Sequence, residues 1–365
     1  MKRIVILLAT IIFLLTSFLK LNAQIKSIPD MLSGSTADAE KLFQAYLKPY
    51  ANAFGANLNG GWYNTAKVHK LGGFDLTLSV SAAIVPSSDK TFDPSKLGLS
   101  DKATILPVGA LAPTVAGENK VGPEISYKDP ITGNITVAKF KTPKGTGLGI
   151  VPSPMLQLGI GLIKGTDATF RYMPSTNFGD YGSMTMWGVG VKHSLKQWIP
   201  GIKMTPFFNL SVFGGYTQLK TNMNLNLQPE VYEQSLNADI SASTLAYDNQ
   251  KMELMVKGFT GNILASFDFP VIALYAGVGF SSTNTNLTLS GDYPMPSVEG
   301  TKVIVKDGNK KTDPIDIEMK SMDGSKTKPR LNAGVRFKFA IITLHFDYTY
   351  ANYSVATAGL GISFR

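Results

Sequence analysis

The sequence has no cysteine, three histidines and three tryptophans among its 365 residues. Without cysteine there is no disulfide framework, no thiolate metal site and no lipid-modified cysteine to anchor a lipoprotein. His69, His193 and His345 are too far apart in sequence to form a metal motif, and the reading carries no metal and no cofactor. Ser194 beside His193 is not a nucleophile and base, because adjacent strand residues point to opposite faces. The Gly-x-Gly pairs, such as Gly188 with Gly190 and Gly277 with Gly279, never open a helix, which removes a nucleotide cradle. No catalytic residue is assigned, and an enzyme is not expected.

Past its first residues the chain also lacks any apolar run approaching the roughly 20 residues of a membrane helix. At the start, Lys2 and Arg3 precede an apolar stretch from Ile4 to Leu19, and Leu21-Asn22-Ala23 follows, the order of a cleavable secretory signal peptide over residues 1–23. Its removal takes three of the 35 basic residues and none of the 26 acidic ones, so the remainder carries 32 − 26 = +6. A mild, dispersed excess is not the concentrated basic stripe of a nucleic-acid binder. A secreted chain rich in Gly, Tyr and Phe but without a membrane helix is either a soluble β protein or a barrel that spans lipid by alternation.

What is present is a two-residue period. Phe74, Leu76, Leu78 and Val80 alternate with Asp75, Thr77, Ser79 and Ser81, which is strand rather than helix. The pattern recurs at Leu156–Leu162, Ala168–Tyr172, Trp187–Val191, Phe208–Val212, Ile263–Phe269, Leu274–Phe280, Val335–Phe339, Leu344–Tyr350 and Leu360–Phe364. Register separates hairpins from coincidence. A turn at Ala340-Ile341 sets Phe339 opposite Ile342, Phe337 opposite Leu344 and Arg336 opposite His345, so like faces like. A turn at Pro270-Val271 pairs Phe267 with Leu274, Ala265 with Ala276 and Ile263 with Val278. Around Gly165, Leu162, Ile160 and Leu158 are expected to face Ala168, Phe170 and Tyr172.

Short links near residues 70–72, 165, 200–201, 270 and 340 alternate with longer ones at 87–148, 175–182, 222–250 and 291–329, and with a brief 351–354. Short turns at one end and long loops at the other are the pattern of outer-membrane barrels, and a soluble β-sandwich, the competing reading, does not require it. The final strand, Leu360-Gly-Ile-Ser-Phe364, resembles the C-terminal signal by which such barrels are recognised for assembly, with Arg365 added after the aromatic residue. The fold class is therefore all-β: a transmembrane antiparallel meander barrel of 10–14 strands over residues 71–365. The strands beyond ten would come from 104–112 with 135–140 and from parts of 222–250.

Residues 24–70 form a separate plug-like segment, placed either as a cap on the periplasmic mouth or inside the lumen. Ser35 and Asp38 make a capping box, and Leu42, Phe43, Tyr46, Leu47, Tyr50 and Phe54 recur at helical spacing, giving a short amphipathic helix over 35–54 with a kink at Pro49. A Gly- and Asn-rich stretch from Gly55 to Asn64 follows. An N-terminal segment carrying Trp62-Tyr63-Asn64-Thr65-Ala66 ahead of a meander with an aromatic last strand resembles the long-chain fatty-acid transporter family of outer-membrane proteins. Gly190 to Gly201 and Phe213-Gly-Gly-Tyr216 resemble a group of uncharacterised outer-membrane barrels. The transporter resemblance implies a plugged barrel that moves hydrophobic small molecules; that family has fourteen strands, and its ligand residues do not map onto this chain.

If the apolar faces meet lipid, Asp75, Arg171, Lys192, Asp268, Arg336, His345 and Asp347 point into the lumen. In a narrow barrel such charges pair and fill the space. The stretch Thr301–Arg330 holds eight basic and five acidic residues and reads as a solvated loop. Trp187, Trp198, Tyr348, Tyr350 and Tyr353 suit interfacial girdles. The functional expectation is an outer-membrane channel or transporter for hydrophobic small molecules, and the alternative is a structural or surface-interaction barrel with a filled lumen. Its partners would be outer-membrane lipids, the barrel-assembly machinery through the last strand and a hydrophobic ligand, with no nucleic acid.

Overall fold

A computed structural model describes residues 31–32, 35–129, 133–177, 182–319 and 327–364, so the expected signal peptide lies outside the described residues. Ten strands close an antiparallel meander in which each strand pairs with its successor and the last returns to the first. They are β1 Phe74–Ile84, β2 Ile150–Leu162, β3 Thr166–Asn177, β4 Gly182–Ser194, β5 Phe208–Asn224, β6 Lys251–Asp268, β7 Ile272–Ser290, β8 Thr327–Phe339, β9 Ile342–Tyr350 and β10 Val355–Phe364. At the seam Phe74 stands opposite Phe364, with their rings 5.0 Å apart.

Two of the three hairpin registers are as expected: Phe337 faces Leu344 and Arg336 faces His345, while Phe267 faces Leu274 and Ile263 faces Val278. The third is two residues off. Leu162 faces Thr166, Ile160 faces Ala168 and Leu158 faces Phe170. Lys164 and Gly165 both adopt left-handed backbone, with φ of 54° and 66°, and close the turn in three residues. A shift of two preserves the faces, so the alternation survives the error.

The strand count stays at ten because the extra segments fold elsewhere. Ala103–Leu106, Glu124–Lys128 and Thr136–Lys141 form their own three-stranded sheet in the loop after β1, and Glu230–Leu236 is a helix. Ile315–Met319 adds to the end of β7 above the point where β8 leaves it. Here "upper" means the end with the long loops and "lower" the end with the short turns.

Outward side chains are apolar over a limited height. On β6 they run Phe267, Ala265, Ile263, Gly261, Phe259 and then change to Lys257, Met255, Glu253; on β7 Phe280 gives way to Ser282, Asn284 and Asn286. From Phe269 to Phe259 is ten residue steps, roughly 25 Å of height for a tilted strand at about 3.3 Å per residue. Aromatic residues gather at both margins. The lower one carries Phe74 with Phe364, Phe207 with Phe269 and Phe208 with Phe267, and the upper one carries Phe170 with Tyr172, Trp187 with Tyr216 and Phe259 with Phe280. Trp198, Tyr348 and Tyr350 are exposed as expected. Tyr353 is not: it is buried and donates its hydroxyl hydrogen to the Asp89 carboxylate, because the brief 351–354 turn folds inward over the barrel mouth.

The N-terminal helix, α1, runs Thr36–Asn59. Ser35 caps it, its hydroxyl accepting from the Asp38 N–H at 3.1 Å. It continues through Pro49 into the stretch expected to be irregular. Fifteen of its 24 residues are buried, more than one apolar stripe requires, so the helix is enclosed rather than laid on a surface. Packing on all sides holds the proline-containing turn, and the Val115 N–H of the first long loop donates to the Tyr46 carbonyl at 3.0 Å. Gly55 is where helix meets wall: a Cβ there would fall 2.3 Å from Thr283 Cγ2 on β7.

Candidate functional site

The inside of the barrel is the candidate site, and it changes character with height. In the upper half Leu42, Phe43, Tyr46 and Leu58 of α1 share one apolar core with Met186, Leu219, Val256 and Leu287 of the wall and with Ile125, Tyr127, Phe140 and Tyr232 of the long loops. Phe54, Leu47 and Tyr50 are buried in it too. Tyr46 donates to the Lys144 carbonyl at 2.8 Å, and Tyr50 shares a hydrogen bond with Thr146 at 2.7 Å. Burial pushes the Tyr50 hydroxyl up to about 12, so it stays neutral.

Midway down, the wall turns polar where the helix ends. An α-helix leaves its last carbonyls without intrahelical donors and carries partial negative charge there, and the last turn of α1 has no basic residue. Two arginines from separated strands supply the charge. Arg171 of β3 is fully buried and donates Nη1 to the Leu58 carbonyl at 3.2 Å, Nη2 to the Gly60 carbonyl at 2.8 Å and Nε to Gln157 at 2.8 Å. Its guanidinium lies 3.6 Å from the Trp62 ring centroid. Arg330 of β8 donates to the Asn59 carbonyl and, at 3.1 Å each, to Thr260 and Thr349.

Below this cap, Trp62, Tyr63 and Ala66 form a second apolar cluster with Phe213, Leu264 and Tyr275 of the wall. The chain then descends along β3, β4 and β6. Lys192 Nζ lies 3.1 Å from Asp167 and donates to the carbonyls of Thr65 and Lys67 at 3.4 and 3.1 Å. His69 sits between Asp167 at 3.1 Å and Asp75 at 3.3 Å. Asp268 accepts from Thr65 at 2.6 Å and Asn209 at 2.9 Å. Gly161 gives the strand room for this passage, since a Cβ there would stand 2.1 Å from the Lys70 carbonyl oxygen.

All seven sequence-predicted charges are on the inner face. Arg171 joins α1, Lys192 and Asp268 join the descending segment, and Asp75 meets His69. Asp347 accepts from Asn332 at 2.9 Å and Tyr275 at 3.3 Å. Arg336 and His345 stand side by side lower on β8 and β9, both buried. Among the described residues no group of His, Asp and Glu is arranged to hold a metal ion.

Residues 1–364 match the model of a family described as a family of unknown function (DUF6588). The chain belongs to that family. No curated protein matches it. In shape this DUF6588 chain is similar to the translocator domain of autotransporter NalP from Neisseria meningitidis, at 10% identity and TM-score 0.28 over 87% of this chain and 93% of that one. It is also similar to the outer membrane protease OmpT from Escherichia coli, at 8% and 0.30 over 80% and 97%. The Pseudomonas putida toluene transporter TodX aligns at 11% and 0.29 over 85% and 93%. These likenesses carry no activity to this chain.

Three residues of the candidate site in this DUF6588 chain escape the sequence reading. Arg330 is placed there in a solvated loop, yet it is 5% exposed inside the barrel. Carrying the parity of Arg336 backwards through Gly334 and Asn332 reaches Arg330 and Lys328, so the signal is present but is interrupted by Pro329 on the outward side. Asp167 carries the inward parity of Arg171 but is hidden by the turn assigned too far along. Tyr275 reads as one more aromatic in a Gly-rich strand, and nothing local marks it.

Proposed function

We propose that this chain is a bacterial outer-membrane barrel shut by its own residues 36–70, which passes solute only past that plug. One arrangement carries the reading: an apolar band roughly 25 Å high, edged by aromatics, surrounds a polar wall whose arginines hold the end of a helix from the same chain. A segment held by several of the buried charges around it is the economy of a filled lumen. The band is the surface that meets outer-membrane lipid, residues 1–23 are the export signal, and β10, ending on Phe364, is the strand offered to the barrel-assembly machinery. Of two cavities beside the plug, the upper is lined largely by Lys, Arg, Asn and Thr, and the lower carries Lys67, Lys196, Arg336 and Lys338 alongside Phe207, Phe269 and Ile272, which favours a polar cargo over the hydrophobic one that the transporter resemblance implies. A second reading, a surface-interaction barrel that moves nothing, is favoured by the core that α1 shares with the long loops.

Planar-bilayer recording tests the proposal. The full chain is expected to be closed, and deletion of Thr36–Asn59 is expected to give a stable conductance of open-pore size. Open-pore conductance from the full chain would sink the plug; a deletion variant that folds and stays closed would leave the surface-interaction reading.

A further inference from the structure

Cations occupy the inward positions at both ends of β8. Lys328 and Arg330 stand above, Arg336 and Lys338 below, and Asn332 and Gly334 lie between them on the same face. The upper pair lines a cavity of about 90 Å³ together with Asn52, Thr283 and Thr349. The lower pair lines one of about 410 Å³ together with Lys67, Lys196 and Asp268. Six cations thus line the two cavities, Arg330 and Lys196 among them bonded to carbonyls, with Asp268 in the lower lining and Asp347 between the two.

Tyr275 of β7 stands between the levels of the two cavities, its ring 6.4 Å from that of the plug's Tyr63. Its ring lies across Gly334, where a Cβ would come within 2.4 Å of Tyr275 Cζ, and its hydroxyl donates to Asp347 at 3.3 Å. Asn332 holds the other oxygen of Asp347 at 2.9 Å. On the neighbouring wall, His345 Nδ1 and Nε2, Thr343 Oγ1 and Ser363 Oγ are buried and have no hydrogen-bond partner among the described residues. A buried polar atom left without a partner costs on the order of 1–3 kcal/mol, so a wall with several is suited to a hydrated or polar occupant. Below its cap the plug is hydrogen-bonded to β3, β4, β5 and β6, and it meets the other side of the barrel through Arg330 of β8 and at Gly61, where a Cβ would stand 3.1 Å from Thr357 Cγ2 of β10.

The geometry points to a passage for small inorganic anions along β8, beside the plug, with Tyr275 as its closure. It rests on the plugged-barrel reading and adds the class of cargo and the route. Like charges lining a narrow path select counter-ions, and removal of the Tyr275 ring widens the space between the two cavities. In planar bilayers under a KCl gradient, Tyr275→Ala is expected to conduct, with a reversal potential showing a roughly tenfold preference for chloride over potassium. Adding Arg336→Gln and Lys338→Gln is expected to bring that ratio close to one. Tyr275→Phe, which keeps the ring, is expected to stay shut. A cation-preferring Tyr275→Ala, or one that folds but does not conduct, overturns the passage while leaving the plug intact. Open-pore conductance from the unaltered chain instead overturns the plug. Because loss of a core aromatic can cost the fold, the unaltered chain in detergent gives a second measurement. Inorganic phosphate is expected to raise its melting temperature, Arg336→Gln with Lys338→Gln to remove the rise, and a chain that phosphate does not move counts against the passage.

Discussion

Arg171 and Arg330 do for the end of α1 what no residue of the helix itself does. A guanidinium donates in a fixed fork and keeps its charge when buried, so one side chain can satisfy two carbonyls at once, which a lysine does not reproduce. Arg171 combines two carbonyl bonds, a bond to Gln157 and the face of Trp62. Arg171→Met keeps much of the volume and deletes all of these. With about 1.5–3 kcal/mol for a hydrogen bond to a charged group and partial relaxation, the helix end is expected to lose on the order of 3 kcal/mol of docking stability. Amides of residues 54–62 should then exchange about 100-fold faster while the strand amides keep their protection. Equal acceleration in the strands would mean that the arginine supports the barrel as a whole rather than the plug. Arg171→Lys is expected to fall between the two, nearer to Met.

At the scale of strands and helices, legibility follows from how local the cause is. The faces of β6, β7, β8 and β9 are set by a period of two and by two-residue turns, so Phe267 opposite Leu274 and Arg336 opposite His345 can be written from the chain alone. The turn after β2 depends on left-handed backbone at Lys164, a non-glycine residue that does not advertise it, and there the register slips by two. The end of α1 depends on enclosure by a wall brought from distant sequence, so its last turn, Ala56 to Asn59, reads as irregular and folds as helix. The position of the band along the strands has its own test. Val278 on β7 is 56% exposed in mid-band, and Asn286 lies eight residues higher on the same outer face. Val278→Arg is expected to lower folding stability in phospholipid vesicles by about 2–4 kcal/mol, and Asn286→Arg to stay within about 0.5 kcal/mol of the parent. Urea titration of both, followed by tryptophan fluorescence, measures the difference. Equal costs would place lipid elsewhere on the barrel.

For the whole molecule the question is whether solute passes beside α1 or only after α1 leaves. The absence of cysteine makes this answerable, because a single introduced pair has no competitor. Gly55 and Thr283 are the place to put it: a Cβ on Gly55 would lie 3.0 Å from Thr283 Cβ, somewhat under the roughly 3.8 Å of a relaxed disulfide. Replacing threonine by cysteine also removes the methyl that crowds the site. Gly55→Cys with Thr283→Cys is therefore expected to oxidise to one internal bond and to fold with α1 fastened to β7. Combined with Tyr275→Ala, the oxidised barrel should conduct as well as the reduced one if the β8 face is the route, since neither cavity needs the helix to move. Conductance that disappears on oxidation and returns with reductant would assign passage to the space α1 occupies, and the cations of β8 would then be the side chains that hold the plugged state together.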